Sequence, residues 1–374
     1  MSLTAGVRIR GTGADMESVQ RWLDAAGLSR AVDRNPGTDD GGPYCDYHLS
    51  AEAARAWVPD GDTSGIVQAL GLDAARDTDD LDTEILTALL ASPVRFDYAS
   101  AAEFHAAARV RRRVVQAARR TVVDFDTEGA ERPDCWTWSE ATGFILRPGF
   151  DLIPSLELTL WPDVSGRRHS FSCYRATEYV LLLAVAQELQ VCNPEALQLL
   201  QHQWQTKALL GEDFQAAFLR EYGSLQAPLP FGYYIPGDRL WFRNPDPVSA
   251  DIEGFEGSWI FYIGNGRFVN FWKPNASYTL RNKCVELYHW RHGVCHDGSR
   301  IWMDESIIEA RAEESLRHPD EVRRILGLMM RLRDPAGVYA QGGCIDASRE
   351  AVRNLCPGTV DLTLPPAQPR ALAA

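Results

Sequence analysis

A chain of 374 residues with 45% hydrophobic and 24% charged residues has the balance of a globular protein that can bury a substantial core, as one large domain or two ordinary ones. Its longest uninterrupted apolar run is Tyr179–Ala186, far short of a membrane span, and its first residues lack the regions of a signal peptide. A cytoplasmic location without membrane contact is expected. The formal charge of −13 disfavours nucleic acid as a partner and suits cationic ones. Eight cysteines (45, 135, 173, 192, 284, 295, 344 and 356) lack paired spacing, which argues for reduced thiols rather than a disulfide framework.

In chain order, Val7 and Ile9 predict a short strand, followed by a helix from Asp15 to Ala26 closed by Gly27. Residues 31–84 hold thirteen Asp and Glu against Arg34, Arg55 and Arg76. Pro36-Gly37, Asp40-Gly41-Gly42-Pro43 and Pro59-Asp60-Gly61-Asp62 punctuate this stretch with turns. It reads as an acidic insertion packed on the outside and partly mobile. A helical piece, Asp82–Ala91, leads to Ser92-Pro93-Val94-Arg95-Phe96-Asp97-Tyr98. From Ser100 to Arg120, Phe104, Ala107, Ala108, Val114, Val115 and Ala118 share one helical face. The opposite face carries Arg109, Arg111, Arg112, Arg113, Arg119 and Arg120, and without interleaved aromatics it reads as solvated, with the acidic segment as its neighbour.

Thr142–Leu146 and the alternating Leu156-Glu157-Leu158-Thr159-Leu160 predict strands. Next comes Ser170-Phe171-Ser172-Cys173, opening a helix that is apolar on every side from Val180 to Ala186 and therefore buried. Cys173 then sits at a helix N-terminus, where unpaired N–H groups and the macrodipole favour a thiolate. Further helices are expected between Pro194 and Tyr222, and β structure from Tyr233 to Phe242. Trp259–Ile263 and Arg267–Trp272 form a hairpin around Gly264-Asn265-Gly266. Helices return over 305–333, and Pro357–Ala374 is a loosely held tail. The division is residues 1–30 as strand and helix of the core, 31–84 as insertion, 85–335 as catalytic core and 336–374 as C-terminal extension.

Several of these blocks, in this order, resemble the small spore-coat-type bacterial transglutaminases, which join glutamine side chains to lysine amines through a cysteine acyl-enzyme. Ser92–Tyr98 is similar to the family's Thr-Pro-Val-x-Phe-Asp-Tyr segment. Phe171-Ser172-Cys173 with Ala176-Thr177 is similar to its Phe-x-Cys-Ala-Thr nucleophile turn, with Tyr174-Arg175 inserted. Gly237-Asp238-Arg239-Leu240-Trp241-Phe242-Arg243-Asn244-Pro245 is similar to its Gly-Asp-x-x-Tyr-Phe-Lys-Asn-Pro signature, and Leu287–Val294 to its later Leu-x-x-Phe-Arg-x-x-Gly block. The resemblance implies an α/β (α+β) papain-like thiol fold, with a mainly antiparallel sheet packed on the buried helix that starts at Cys173, and it implies Cys173 as nucleophile.

The departures lie in the acid–base partners. Where the family's hairpin begins Gly-Glu-Asn, this chain reads Gly257-Ser258-Trp259, and the family's histidine position is Phe271. Asn270 is adjacent, but successive strand residues face opposite ways, so it serves only if the register shifts. Glu256 has the same parity problem; His169, His289 and His292 are the other titratable candidates. Cys284, His289, His292, Cys295 and His296 lack the short Cys-x-x-Cys anchor of a zinc site, so neither metal nor cofactor is expected. Cys173 is the expected catalytic residue, with Ser258, Asn270 and Trp259 binding substrate. The expected reaction is acyl transfer that forms an amide bond. Its partners are an amine acceptor and an acyl donor, the donor being a small molecule, a carrier protein or protein glutamine. The alternative is a binding or structural protein that kept the fold and lost the chemistry.

Overall fold

A computed structural model describes residues 5–125, 131–298, 300–333 and 342–365. Two four-stranded sheets and two small ribbons surround a set of packed helices, an α+β arrangement. In the first sheet β1 (Val7–Arg10) pairs antiparallel with β3 (Gly42–Leu49) and parallel with β4 (Phe96–Tyr98), while β2 (Val32–Asp39) pairs with the outer side of β3. β5 (Trp136–Ser139) and β6 (Gly143–Leu146) form one ribbon. The second sheet runs β7 (Leu219–Tyr222), β12 (Arg349–Val352), β8 (Arg239–Arg243), β9 (Gly257–Phe261), antiparallel throughout. The remaining ribbon joins β10 (Val294–Asp297) to β11 (Arg300–Met303).

The central helix spans Cys173–Cys192, and its residues from Ala176 to Ala186 are all buried. Ser172 caps it by accepting a hydrogen bond from Arg175 N, one of the donors that the first helical turn leaves unpaired. It packs on the arginine-rich helix Ala101–Arg120, on the helix Leu152–Leu160 and against β9.

Three expectations need correction. Residues 156–160 are helical, not extended, within Leu152–Leu160. The buried positions Leu152, Ser155, Leu156, Thr159 and Leu160 follow steps of three and four, a period that five residues alone cannot distinguish from alternation. The second run of the hairpin is reduced to isolated bridges of Phe268 with Tyr262 and Tyr278. The arginine face is solvated only in part, Arg120 being exposed. Arg109 and Arg113 both bind the fully buried Glu188, at 2.8 and 2.9 Å, and Arg111 binds the buried Asp238 at 2.6 Å. Arg112 reaches Asp82, and Arg119 donates to the carbonyls of Ala74 and Ile263, so part of the neighbourhood is the acidic segment, as expected.

The expected divisions at 31–84 and 336–374 do not follow the sheets. β2 and β3 belong to the first sheet, with Cys45, Tyr47 and Leu49 in the core. β12 lies between β7 and β8. Past it, the buried Glu103 accepts hydrogen bonds from Leu355 N and Cys356 N, both at 3.0 Å, and from Thr359 Oγ1 at 2.6 Å. Beyond residue 365 the expected tail lies outside the described residues.

Candidate active site

Strand pairing sets one wall of the site. Trp241 on β8 stands opposite Trp259 on β9, and Phe242 opposite Ser258. The two indoles stack at 5.9 Å with 14° between their planes. Trp259 also meets Tyr174 edge to face at 5.3 Å, so the wall is tied to the first turn of the Cys173 helix. Gly257 is required by the close approach of Trp241: a Cβ there would lie 2.2 Å from its Nε1 and 2.6 Å from Phe242 O. Gly257→Ala is expected to cost about 1–3 kcal/mol by overpacking, seen as a lower urea midpoint; an unchanged midpoint would mean the indole moves aside freely.

The signature 237–246 frames the wall from behind. Asp238 accepts from Arg111 and, through its other oxygen, from Ile235 N at 2.7 Å. Arg239, fully buried, donates to Thr177 Oγ1 at 2.9 Å and to Glu350 at 2.7 Å. Its guanidinium lies 4.0 Å from the Trp259 ring centroid and 4.6 Å from that of Tyr174. One side chain thus joins the Cys173 helix, β12 and the aromatic wall. Asn244 holds the following loop through Ser249 and the Phe255 carbonyl, both at 2.9 Å.

These elements enclose a cavity of about 360 Å³. All four residues expected in the site, Cys173, Ser258, Trp259 and Asn270, line it. Phe271 lines it as well, although parity would send it and Asn270 to opposite faces. The reason is local. The hairpin ladder ends where Val269 N donates to Phe261 O (3.0 Å); next Phe271 O accepts from Val123 N (2.9 Å), and Asn270 Oδ1 from Trp272 N (3.2 Å). The backbone has left the pleat, so the two-residue period no longer applies. Aromatic side chains of Phe125, Phe255, Trp272, Tyr278 and Trp290 complete much of the interior.

None of the histidine candidates lines this cavity, nor does Glu256. His169 is buried with neither ring nitrogen paired, and burial pushes its pKa down to about 4. His289 is held by His292 (3.0 Å between Nδ1 atoms) and Ser315 (2.8 Å), and burial likewise pushes it down to about 4. The Cys173 thiol departs from the sequence-based expectation too. Burial raises its pKa above the ordinary thiol value, while hydrogen bonds from the backbone at Trp259 and Tyr174, and the charges of Lys283 and Arg239, pull it down. The helix N-terminus alone does not make it a resting thiolate.

Sequence reasoning missed Lys283 and its partner Glu286. Both lie on the helix Leu280–His289 and line the cavity. Lys283 is 3% exposed, binds Glu286 at 3.1 Å and sits 4.6 Å from the Tyr278 ring centroid. A lysine among Cys284, Val285 and Leu287 was the available signal, since a cation on an otherwise buried turn requires compensation.

The hairpin turn is anchored from outside the cavity. Glu84, on the helix Thr78–Leu90, accepts from Asn265 N at 2.7 Å and from the Tyr262 hydroxyl at 3.4 Å. Gly264 has φ +82°, and a Cβ there would lie 2.5 Å from Glu84 Oε2. Burial pushes the Glu84 carboxyl up from 4.5 to about 7. With the folded value the higher one, its stability contribution is complete below about pH 4.5 and is lost as pH rises to about 7. Glu84→Gln is therefore expected to flatten this stretch of the stability–pH curve and to gain about 3 kcal/mol at pH 8 relative to pH 4. Urea unfolding of both proteins at pH 4, 6 and 8 tests it; parallel curves would sink the assignment.

The profile of the family described as protein-glutamine gamma-glutamyltransferase matches residues 65–344. The chain belongs to this family. Among solved structures it is similar to the transglutaminase from Geobacillus stearothermophilus (without C-terminal extension), at 18% identity over 56% of this chain and 96% of that one, with a TM-score of 0.38. No curated protein is similar enough to match. As a protein-glutamine gamma-glutamyltransferase family member, the chain has a transglutaminase-like function at the level of acyl transfer. No helix among the described residues is long and apolar enough to cross a membrane.

Proposed function

We propose that this family member is an acyltransferase in which Cys173 takes up an acyl group as a thioester and passes it to an amine, forming an amide. The observation that carries the reading is the convergence of Cys173, Ser258, Trp259 and Asn270 on one aromatic cavity at the head of the central helix. Thiol attack on a carboxamide or thioester carbonyl would leave the acyl group on sulfur, and amine attack on that thioester would regenerate the thiol. Ser258 and Phe271 stand where the resemblance implies a carboxylate and an imidazole. We take this to mean a changed donor, a small molecule or a carrier-bound acyl group in place of protein glutamine, with Trp259 against its apolar part and Asn270 and Ser258 near its polar end. The lack of paired cysteine spacing in the sequence supports action in the cytoplasm.

The test is incubation with a fluorescent amine and two donor classes, glutamine peptides and short acyl or aryl thioesters, followed by product analysis and intact mass. Amide product with thioesters, together with an acyl adduct mapped to Cys173, is expected. Neither product nor adduct from either class would overturn the proposal and favour a non-catalytic binding protein, a reading that the upward-shifted thiol and the lack of a lining imidazole favour.

A further inference from the structure

Among the described residues lining the cavity there is no histidine and no arginine, and the cations are Lys273 and Lys283. They differ in kind. Lys273 is half exposed and bound to Glu309. Lys283 is almost wholly buried, a placement that a lysine adopts only when its charge is compensated. Its compensation comes from one carboxylate, Glu286, and from the faces of Tyr278 at 4.6 Å and Trp290 at 5.7 Å.

We propose that Lys283, held by Glu286, is the charged acid–base partner of Cys173, taking the place of the absent imidazole. The inference rests on the proposed acyl transfer. The surrounding electrostatics support it. The Lys283 charge draws the thiol toward thiolate, and Arg239 acts in the same direction from behind the aromatic wall. From the helix Glu305–Arg317, Glu305 faces the pair, its carboxyl raised by burial and by the negative charges of Glu309 and Glu286. Burial raises the pKa of Tyr174, next to Cys173, and keeps its hydroxyl neutral.

The proton balance is then as follows. Cys173 ionises, losing its proton to solvent, and leaves a thiolate in the same cavity as the Lys283 ammonium. The sulfur attacks the acyl carbon, and the bond to the leaving group breaks. For a carboxamide donor, Lys283 gives a proton to the departing nitrogen and becomes a neutral amine. The acceptor amine attacks the thioester, its proton passes to Lys283, and the C–S bond breaks to restore the thiolate and the ammonium. With a thioester donor the first leaving group departs as a thiolate and Lys283 stays an ammonium, so the proton of the attacking amine goes to that released thiolate or to solvent instead of to Lys283.

The deciding experiment is the pH profile of iodoacetamide labelling at Cys173, read by peptide mass in wild type, Lys283→Met and Lys283→Arg, with turnover measured beside it. Lys283→Met is expected to move the labelling midpoint up by about one pH unit, so that labelling at a fixed lower pH slows ~tenfold. Lys283→Arg keeps a charge but releases no proton. Its midpoint should stay near wild type while turnover of a carboxamide donor falls ~100-fold or more. An unmoved midpoint in folded Lys283→Met would overturn the inference. Should that variant fail to fold, Glu286→Gln decides: its midpoint falls if Lys283 acts on the thiol, and an unchanged midpoint counts against it. Wild type that forms no acyl adduct would instead overturn the acyl-transfer reading, whatever the labelling profiles show.

Discussion

Cys173→Ala is expected to abolish amide formation, by on the order of 10⁴-fold or more, and to remove the acyl adduct from the intact mass. No other cysteine among the described residues lines the cavity, and the remaining lining hydroxyls would have to act without the polarizable sulfur. The fold should survive. Cys173 is largely but not fully buried at the first turn of its helix, where Ser172 supplies the cap and Ala176 onward supplies the packing. The loss of one sulfur atom should cost about 1 kcal/mol, so thermal unfolding near wild type accompanies the loss of turnover. Retained turnover in Cys173→Ala would move the nucleophile elsewhere. A variant that binds ligand as wild type does, beside a wild type that never turns over, would make the protein a binder.

The position of Cys173 was legible because two independent signals coincide there. An all-apolar run without Gly or Pro marks a buried helix, and Phe171-Ser172-Cys173 with Ala176-Thr177 resembles the family's nucleophile turn. The helix Ala101–Arg120 was legible through a periodic pattern long enough to fix one face. The helix Leu152–Leu160 was not, because only its last five residues drew attention and they alternate. The β2–β3 hairpin was hidden by composition. Its outer strand reads as turn residues, and what makes it a strand is pairing with β3 over eight positions from Val32 to Asp39.

Long-range charge pairing was invisible for a different reason. Arg109 and Arg113 lie more than seventy positions from Glu188, and Arg111 lies 127 from Asp238. Nothing local in the helix distinguishes an arginine that ends in water from one that ends on a buried carboxylate. The cavity shows the same division. Its thiol and aromatic wall came from motifs, whereas Asn270 entered it through a break in the ladder and Lys283 through the packing of the helix Leu280–His289. Local pattern thus located the thiol, and tertiary packing supplied the groups that share its cavity.

Asp238→Ala is expected to be the most destabilising single change in the signature, at about 3–5 kcal/mol. Burial opposes the charge on Arg111, yet Asp238 holds that guanidinium firmly protonated. Without the carboxylate an almost fully buried cation has no counter-ion, and Ile235 N loses its acceptor. Water cannot easily take over, since Gly237 already packs against the Arg111 backbone, where a Cβ would come within 2.9 Å. Urea unfolding should show the loss, and a decrease under about 1 kcal/mol would mean that the pair is more hydrated than its burial implies. Adding Arg111→Met to Asp238→Ala should recover part of the stability, because removing both charges ends the desolvation cost that one alone incurs. The damage should also reach the cavity. Arg239 follows Asp238 directly and pins Trp259 to the Cys173 helix, so labelling at Cys173 should lose its wild-type pH profile in the single variant and regain it, in step with stability, in the double one.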